Sequence, residues 1–318
     1  MRFCLIGPAG TSIPPVGWGA VESLIWDYYV TLKKRGYDVM ILNTDTIEMV
    51  SRCNEYNPDV VYIMYDDYAY MSCEIQCKNI FFMSHYAYIT NHQLTSTFRW
   101  YYEHIFLQAI QNQHHLTINA LSEEIKDVYI KHGYKGRIHV ISNGAREDVF
   151  RYTDKPVRGT KSIYLAKIEE RKGQYNYQSI PDIEFVGNYQ DSSFDTGNPN
   201  YLGEWTKDML YDKLTDYGNL LLLSEGEADP LVVKEALIAG LGVVVSECAS
   251  ANLDTVLDFV TVIPDDKLND VEYVKNAIKR NREISVKVRA DIRKYAINTF
   301  SWSVIVDKFL DVVQRQKE

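Results

Sequence analysis

Two glutamates around the end of an aliphatic run are the residues of this chain best placed to do chemistry. Glu227 and Glu235 belong to the segment LLLLSEGEADPLVVKEALIAGLGVVV, residues 220–245. Its four leucines have the length and continuity of a strand covered on both faces. Asp229-Pro230 then predicts a helix start, with Asp229 at the N-cap and proline at the first helical position. This places Glu227 in the loop and Glu235 little more than one turn into the helix.

A carboxylate pair at the carboxyl end of a parallel strand suits a ligand that carries many hydroxyl groups. Ligands of open α/β sheets bind outside these strand ends, where helix N-termini offer free N–H groups to anions. Carboxylates repel phosphates but are strong acceptors for hydroxyls. A nucleotide sugar carries both kinds of group. The alternative is that Glu227 and Glu235 are a loop acid and a first-turn acid favoured only by the helix dipole.

Two lysines in an earlier segment carry the opposite charge. In YLAKIEERKG, residues 164–173, Lys167 lies just past a predicted strand and Lys172 just before the next predicted helix. Both ammonium groups are expected to reach the same crevice, where they would neutralise a diphosphate. Ordinary solvated lysines are the alternative for each of them.

A glycine-rich loop near the N-terminus also suits a phosphate. Residues 7–19, GPAGTSIPPVGWG, follow a predicted strand and precede a helix that begins near Ala20. Glycines such as Gly17 and Gly19 let a ligand approach the backbone. The loop does not match the dinucleotide pattern G-x-G-x-x-G, so a loop that merely turns a corner is the alternative.

Aliphatic runs and amphipathic stretches alternate along the whole chain, which predicts parallel sheets with crossover helices. The predicted strands are 2–6, 39–43, 60–64, 79–83, 116–119 and 138–141, then 162–166, 183–186, 219–223, 242–246 and 259–263. The predicted helices are 20–35, 45–56, 92–112, 122–132, 206–216, 231–240, 268–281, 284–299 and 301–316. The charged segment 143–159 is the predicted linker. Two Rossmann-like domains with a ligand crevice between them follow.

Composition narrows the class of protein further. A chain of 318 residues suggests two domains, and 46% apolar content is enough for real cores. A net charge of −9 argues against nucleic acid as a partner. Five scattered cysteines suit a reducing compartment, and no apolar run reaches membrane-spanning length. The expectation is a soluble, cytoplasmic protein without a transmembrane segment.

Three other patterns are expected to have no catalytic role. Asp66-Asp67 has the wrong spacing for an Asp-x-Asp metal motif. His114 and His115 are neighbours that would point apart in a helix or a strand, so a shared metal is not expected. The basic run 275–294 predicts a solvated helical face, with a phosphate-rich acceptor as the alternative.

Taken together, the chain resembles the retaining glycosyltransferases of family 4, which have the GT-B fold of two Rossmann-like domains. The resemblance covers nearly the full length and ends with the helix that follows Phe300-Ser301-Trp302. Its most specific element is the Glu-x7-Glu signature after a serine. The matching residues are Ser224, Glu227 and Glu235, Gly17-Trp18-Gly19-Ala20-Val21-Glu22, Asn143-Gly144 and Lys172-Gly173.

The resemblance implies an α/β fold in which two parallel sheets face each other across a cleft. An N-terminal acceptor domain would span residues 1–145 and a nucleotide-sugar donor domain residues 146–300. Residues 301–318 would form a helix that crosses back and packs on the first domain.

The resemblance also implies an activity and a role for each residue. A sugar would pass from a nucleotide-diphosphate sugar to a saccharide or glycoconjugate acceptor with retention of configuration, without a metal ion or a cofactor. Glu235 would accept hydrogen bonds from ribose hydroxyls and Glu227 from the transferred sugar. His85 resembles the family's active-site histidine; a structural hydrogen bond at a strand end is its alternative. The implied catalytic residues are His85 and Glu227, and the implied donor-binding residues are Gly17, Gly19, Lys167, Lys172, Asp229, Leu231 and Glu235.

The chain also departs from the family pattern. Ala166-Lys167 replaces Gly-Arg and loses a guanidinium fork. Asp229 adds a negative charge near the helix start, and Pro230 lacks an N–H for phosphate. A catalytically weakened nucleotide-sugar-binding or assembly protein and a nucleotide-sugar epimerase are therefore alternatives, and a homodimer stays open. Aromatic residues that are either acceptor walls or core are Tyr86, Tyr88, Trp100, Tyr101 and Tyr102.

Overall fold

A computed structural model describes residues 1–85, 89 and 100–316 of the chain. The chain divides into two compact units. The first unit comprises Met1–Gly144 and Trp302–Glu318, and the second comprises Ala145–Ser301. Each unit is built around its own parallel sheet, with helices in the connections between strands.

The first unit contains a six-stranded parallel sheet with the order β2-β1-β3-β4-β5-β6. The strand order reverses between β1 and β3, so a crevice opens at the carboxyl ends of this pair. The strands are β1 (Arg2–Ile6), β2 (Asp38–Leu42), β3 (Val60–Ile63), β4 (Ile80–Phe82), β5 (Thr117–Ala120) and β6 (Arg137–Val140).

The second unit contains a five-stranded parallel sheet with the order β11-β10-β9-β7-β8. Here the strand order reverses between β7 and β9. The strands are β7 (Arg158–Leu165), β8 (Ile183–Val186), β9 (Tyr217–Leu222), β10 (Gly242–Ser246) and β11 (Val260–Ile263).

Helices lie between the strands in both units, and three more follow the last strand, β11. Those of the first unit are α1 (Ala20–Lys34), α2 (Thr46–Tyr56), α3 (Leu107–Ile110), α4 (Glu123–Lys131) and α9 (Trp302–Arg315). Those of the second unit are α5 (Lys207–Lys213), α6 (Leu231–Ile238), α7 (Val271–Ser285) and α8 (Arg289–Phe300). A nine-residue 3₁₀ segment, Asp66–Glu74, was not predicted from the sequence.

The predicted strands are confirmed at all eleven positions, with shifts of a few residues at most. The reason is burial: β3, β5, β8, β9 and β10 are buried at every residue, and such strands appear in the sequence as short, mainly apolar runs. Strand β7 begins four residues earlier than predicted because a charged stretch opens it.

Two predictions about helices need correction. The helix predicted at 92–112 falls partly outside the described residues, as do Tyr86 and Tyr88; its described part is a π-helical turn, Tyr102–Phe106, followed by α3. The basic run 275–294 is not a solvated face throughout, because Arg282 and Arg289 are buried. Arg289 donates to the carbonyl oxygens of Thr153 and Tyr217 at 2.8 and 2.9 Å.

Helix α9 completes the core of the first unit. The ring of Phe309 stacks on Tyr62 of β3, with centroids 4.8 Å apart, and meets Phe81 of β4 edge to face at 5.1 Å. Trp302 packs against Tyr28 of α1 at 5.0 Å. The chain thus returns from the second unit to the first after Ser301. Among the described residues, no helix is both long and apolar enough to cross a bilayer.

Gly187, which follows β8, packs closely against the backbone of Ala166, which follows β7. Its φ is +150°, and an added Cβ would overlap the carbonyl oxygen of Ala166. We expect Gly187→Ala to lower the free energy of unfolding of the second unit by about 2–3 kcal/mol, because both the backbone and the contact become strained. Urea denaturation measures this change. Gly10→Ala is the control, since nothing lies within 4 Å of a Cβ added there, and an equal loss in both variants would contradict the prediction.

Candidate functional site

The switch point of the second sheet brings together the loops that follow β7 and β9. The hydroxyl of Tyr164 on β7 accepts a hydrogen bond from the Leu223 amide at 2.9 Å and donates to the carbonyl oxygen of Lys172. The Glu225 amide donates to the Arg171 carbonyl oxygen at 2.9 Å. Tyr164 is buried, and burial raises its pKa well above 10, so the hydroxyl stays neutral. The two loops are therefore fastened to each other.

Lys172 and Glu227 form an ion pair within these loops. The Lys172 ammonium contacts the Glu227 carboxylate directly, and the two side chains are 12% and 11% exposed. The Arg171 guanidinium lies 3.7 Å from the same carboxylate oxygen. The sequence suggested separate roles for Lys172 and Glu227, and the structure places their charged groups against each other.

Arg171 has no predicted role, although the structure places its guanidinium between the carboxylates of Glu169 and Glu227. Its guanidinium contacts Glu169 at 2.6 Å and also reaches the carbonyl oxygen of Gly226 and the hydroxyl of Ser224. The sequence feature that could have indicated its role is an arginine next to Lys172 in the loop after a strand. The guanidinium is a rigid fork of donors that can bind several acceptors at once.

Lys167 lies at the open side of the same group. Its side chain is 45% exposed, and its ammonium is 3.8 Å from Glu169. Three cations, Lys167, Arg171 and Lys172, thus alternate with two carboxylates, Glu169 and Glu227. We call these five residues the charge network. It has an excess of one positive charge beside the carboxyl ends of β7 and β9.

The start of α6 differs from the prediction. The helix begins at Leu231, and the N-cap residue is Pro230 rather than Asp229. Asp229 is buried, and its carboxylate contacts the ammonium of Lys234 and accepts from Asn252 Nδ2 at 2.9 Å. The predicted extra negative charge is therefore neutralised inside the protein.

Lys234 also lies near this site and has no predicted role. Its side chain is 0% exposed, and its ammonium lies 5.6 Å from the ring centroid of Phe300. A lysine inside the apolar helix sequence LVVKEALI, five residues after an aspartate, was the signal. Leu231 and Glu235 are partly exposed on α6, one turn apart, next to the loop that carries Glu227.

The glycine-rich loop of the first unit is held by side chains. Asn43 accepts from the Ala9 amide at 2.8 Å, and Glu22 accepts from the Thr11 hydroxyl at 2.8 Å. Gly19 is the N-cap residue of α1, where an added Cβ would lie 2.6 Å from the Glu22 carboxylate. Gly17 is exposed, with nothing within 4 Å of such a Cβ. Both glycines therefore lie on the loop that opens at the end of β1.

His85 follows β4 in the first unit. Its Nε2 atom is buried and has no hydrogen-bond partner among the described residues. Burial lowers the pKa of the imidazole to about 4, so the ring is neutral at physiological pH. A neutral imidazole donates or accepts one hydrogen bond at each nitrogen, and it contributes no positive charge.

The buried carboxyl group of Asp66 is hydrogen-bonded to Ser84, the residue that precedes His85. Asp66 accepts from the Tyr102 hydroxyl at 2.6 Å and from Ser84 at 3.1 Å. Burial is the main cause that raises the pKa of Asp66 to about 7, while its two hydroxyl donors act in the opposite direction. From the sequence, Asp66 stood out only as part of a metal motif with the wrong spacing.

The structure thus places the predicted residues in two groups. Lys167, Lys172, Glu227, Asp229, Leu231 and Glu235 lie around the switch point of the second unit, and Gly17, Gly19 and His85 lie in the first unit. Each group is held by the loops and strand ends of its own unit.

Comparisons with solved structures identify the fold. Sucrose-phosphate synthase from Thermosynechococcus elongatus superposes with a TM-score of 0.75 at 13% identity, covering 99% of this chain and 98% of that one. Anabaena HepE, solved with UDP and glucose, gives 0.70 at 14% identity, covering 99% and 100%. WaaG, a glycosyltransferase involved in lipopolysaccharide biosynthesis, gives 0.66 at 15%, covering 98% and 99%. The predicted GT-B fold is confirmed.

No family model matches the sequence, and no curated protein matches it either. At identities of 13–15%, the structural likeness establishes the fold and leaves the activity to be argued from the residues.

The buried pair of Asp229 and Lys234 leads to a stability prediction. Lys234→Met leaves a buried carboxylate with one fewer partner, so we expect unfolding free energy to fall by about 3–5 kcal/mol. The double variant Asp229→Asn/Lys234→Met removes both charges and should recover part of that loss. Urea denaturation of both variants and of Asp229→Asn completes the cycle. Additive effects of the two single changes would show that the pair has no coupling.

The buried carboxyl of Asp66 leads to a prediction about pH. Its pKa is raised from 3.8 to about 7, so the folded protein binds a proton that the unfolded chain releases, and this contribution to stability is lost as pH rises from about 4 to 7. Asp66→Asn does not titrate. We expect its unfolding free energy, relative to the parent, to increase by a few kcal/mol across that range, at about 1.4 kcal/mol per pKa unit.

The pKa of His85, lowered to about 4, gives an opposite slope between pH 4 and 6.5. The contribution of His85 is present in both the parent and Asp66→Asn. It therefore cancels when the two unfolding free energies are subtracted. Urea denaturation at several pH values measures the difference, with Asp311→Asn, an exposed position on α9, as control. A difference between Asp66→Asn and the parent that stays constant with pH would contradict the prediction.

Proposed function

We propose that this chain is a glycosyltransferase that moves a sugar from a nucleotide-diphosphate sugar to a saccharide or glycoconjugate acceptor. The charge network at the switch point of the second sheet carries the proposal. It combines cations for a diphosphate with a carboxylate for sugar hydroxyls, at the place where α/β sheets bind nucleotides. The confirmed GT-B fold supports the same class.

The cations of the network would hold the leaving group. A diphosphate carries more negative charge than any one side chain offsets, and Lys167, Arg171 and Lys172 supply three positive charges on one loop. The family pattern has an arginine at the position of Lys167. Arg171 would provide the guanidinium fork that is lost there. Lys172 has three N–H donors, so it can keep its contact with Glu227 while it binds a phosphate oxygen. These charges would serve in place of a metal ion.

The carboxylates would orient the two hydroxyl-bearing parts of the donor. Glu235, partly exposed on α6, would accept hydrogen bonds from the ribose, and Glu227 from the transferred sugar. Leu231 and Gly173 border the same loops and would contact the donor without charge. Asp229 would act through structure, because Lys234 neutralises it and thereby keeps the start of α6 suitable for an anion.

The reaction we propose proceeds with retention of configuration. The bond between the anomeric carbon and the phosphate oxygen breaks as the acceptor oxygen bonds to the same face. The acceptor proton passes to the departing phosphate oxygen, so no separate base is needed. Stabilising that oxygen is then the main catalytic task, and it falls to Arg171 and Lys172. His85, neutral at physiological pH, would hydrogen-bond the sugar or the acceptor without adding charge.

A second candidate function is a donor-binding protein with little or no turnover. It is favoured by the direct contact between Lys172 and Glu227, which engages both side chains before any ligand arrives, and by Pro230, which has no N–H for a phosphate. Donor-dependent thermal stabilisation without product would identify this function. An epimerase would instead convert the donor sugar while the nucleotide stays attached.

The test begins with donors of the kind found in a structural neighbour. HepE was solved with UDP-glucose, so UDP-sugars come first, followed by donors with other bases. Released nucleotide diphosphate is measured with and without EDTA, and NMR of the product gives its anomeric configuration and distinguishes transfer from epimerisation. Lack of both turnover and donor-dependent stabilisation with every donor would overturn the proposal.

Variants of the charge network sharpen this test. We expect Glu227→Gln and Lys172→Met each to reduce turnover by about 10²-fold or more, because each removes a charge that faces the reacting groups. Lys279→Met, an exposed lysine on α7, is the matched control and should stay within about twofold of the parent. Thermal denaturation checks that the variants fold. Unchanged turnover in Glu227→Gln would place the reaction elsewhere.

A further inference from the structure

A cavity of about 540 Å³ lies in the first unit, at the opposite edge of the sheet from the glycine-rich loop and His85. Its lining comes from the amino ends of three adjacent parallel strands and from the end of the last helix. Lys78 precedes β4, His114 and His115 precede β5, Thr117 and Arg137 open β5 and β6, and Gln316 follows α9. Because the strands are parallel, this cavity is distinct from the site at their carboxyl ends.

The lining of this cavity is cationic. Lys78 and Arg137 are exposed basic side chains, and neither forms an ion pair with any residue that the structure describes. His114 and His115 add two titratable rings, and the described lining contains no acidic side chain.

Basic side chains also lie outside the lining on the side of β6, and the carboxylate of Asp59 lies near Cys77 on the side of β4. The pKa of His139 on β6 is lowered mainly by burial and then by Arg137, Arg315 and Lys126. The pKa of His115 is lowered by burial and by His114. Lys126 is paired with Glu123 at 2.8 Å, so Arg137 and Arg315 are the main sources of uncompensated charge beside His139. Positive charge therefore extends beyond the lining residues on the side of β6.

Two hydrogen bonds orient polar groups of the lining. Gln316 Nε2 donates to Thr117 Oγ1 at 2.9 Å, which leaves the threonine proton to donate elsewhere. His115 Nε2 lies 3.0 Å from Ser72 Oγ, whose own proton goes to Ala69 O or Gln113 Oε1, both at 2.7 Å. Nε2 of His115 is thus the donor, and a proton on Nδ1 would make the ring a cation with a second donor.

The position of the histidines explains why the sequence did not reveal this cavity. His114 and His115 lie in a turn before β5, where neighbouring side chains need not point apart as they do in a helix or a strand. Both residues therefore line one cavity.

We propose that this cavity binds a phosphate-bearing small molecule, held by Lys78 and Arg137 together with the imidazoles of His114 and His115. A guanidinium and an ammonium match the geometry and charge of a phosphate dianion. The volume lies within the range of small-molecule pockets, about 300–1,000 Å³, and exceeds the needs of a lone phosphate. The expected ligand is therefore a phosphorylated metabolite. Free inorganic phosphate carries the same group and is the simpler ligand that the experiment must distinguish from it.

Calorimetric titration of the full chain tests this proposal with two probes, inorganic phosphate and glucose 6-phosphate, and with glucose as a neutral control. We expect both phosphates to bind and glucose not to bind. Tighter binding of glucose 6-phosphate identifies an organic phosphate as the ligand, and equal binding identifies free phosphate. Lack of binding by both at about 10 mM, a concentration that reveals dissociation constants in the millimolar range, overturns the proposal.

Variants locate the site and separate it from the proposed donor site. Lys78→Gln/Arg137→Gln should weaken binding at least about tenfold, as expected when two charge-assisted hydrogen bonds are lost. Lys131→Gln/Lys135→Gln makes the same change in net charge at exposed positions that do not line the cavity, and should stay within about twofold of the parent.

The lining of the cavity shares no residue with the charge network, so a failure of the glycosyltransferase proposal would not affect this result. Equal weakening in the two double variants would overturn the proposal, because it would show a response to net charge alone. Binding to vesicles of anionic lipid without binding of either small phosphate would overturn it too, and would identify a membrane surface instead.

Discussion

The hydroxyl group of Tyr164 is the contact on which the candidate site depends. It accepts from the backbone at the end of β9 and donates to the backbone beside the Lys172 side chain, so one buried oxygen fixes the spacing of two loops. Those loops carry every member of the charge network. If they separated, Glu227 would lose the two cations, Arg171 and Lys172, that lie beside its carboxylate. The electrostatics of the site therefore rest on neutral hydrogen bonds between its two loops.

The fold could be predicted from the sequence because the signals that indicate it are local. Buried parallel strands such as β3 and β10 are short runs of apolar residues, and the last helix was visible from its periodicity. The site could be predicted only in part. Lys172 and Glu227 could be placed on loops after strands, but their contact spans 55 residues of chain and depends on the order β9-β7, which no local pattern contains.

Buried charges were the least predictable feature, for a physical reason. A lysine such as Lys234, or an arginine such as Arg289, is expected in water because burial of an unpaired charge is costly. Each is buried here since the fold supplies partners: a carboxylate for Lys234 and several backbone carbonyls for Arg289. Asp66 is buried too, but its partners are neutral hydroxyls and supply no compensating charge. Its carboxyl group therefore retains a proton more readily.

The return of the chain to the first unit has a consequence for the order of events on the ribosome. The second unit is continuous in sequence, so all of its residues are available once synthesis has passed Ser301. The first unit starts earlier but receives Phe309, a ring at the centre of its aromatic core, only with helix α9. Residues 1–144 are therefore synthesised before the helix that completes their core, and β3 and β4 lack the packing of the Phe309 ring until α9 has followed.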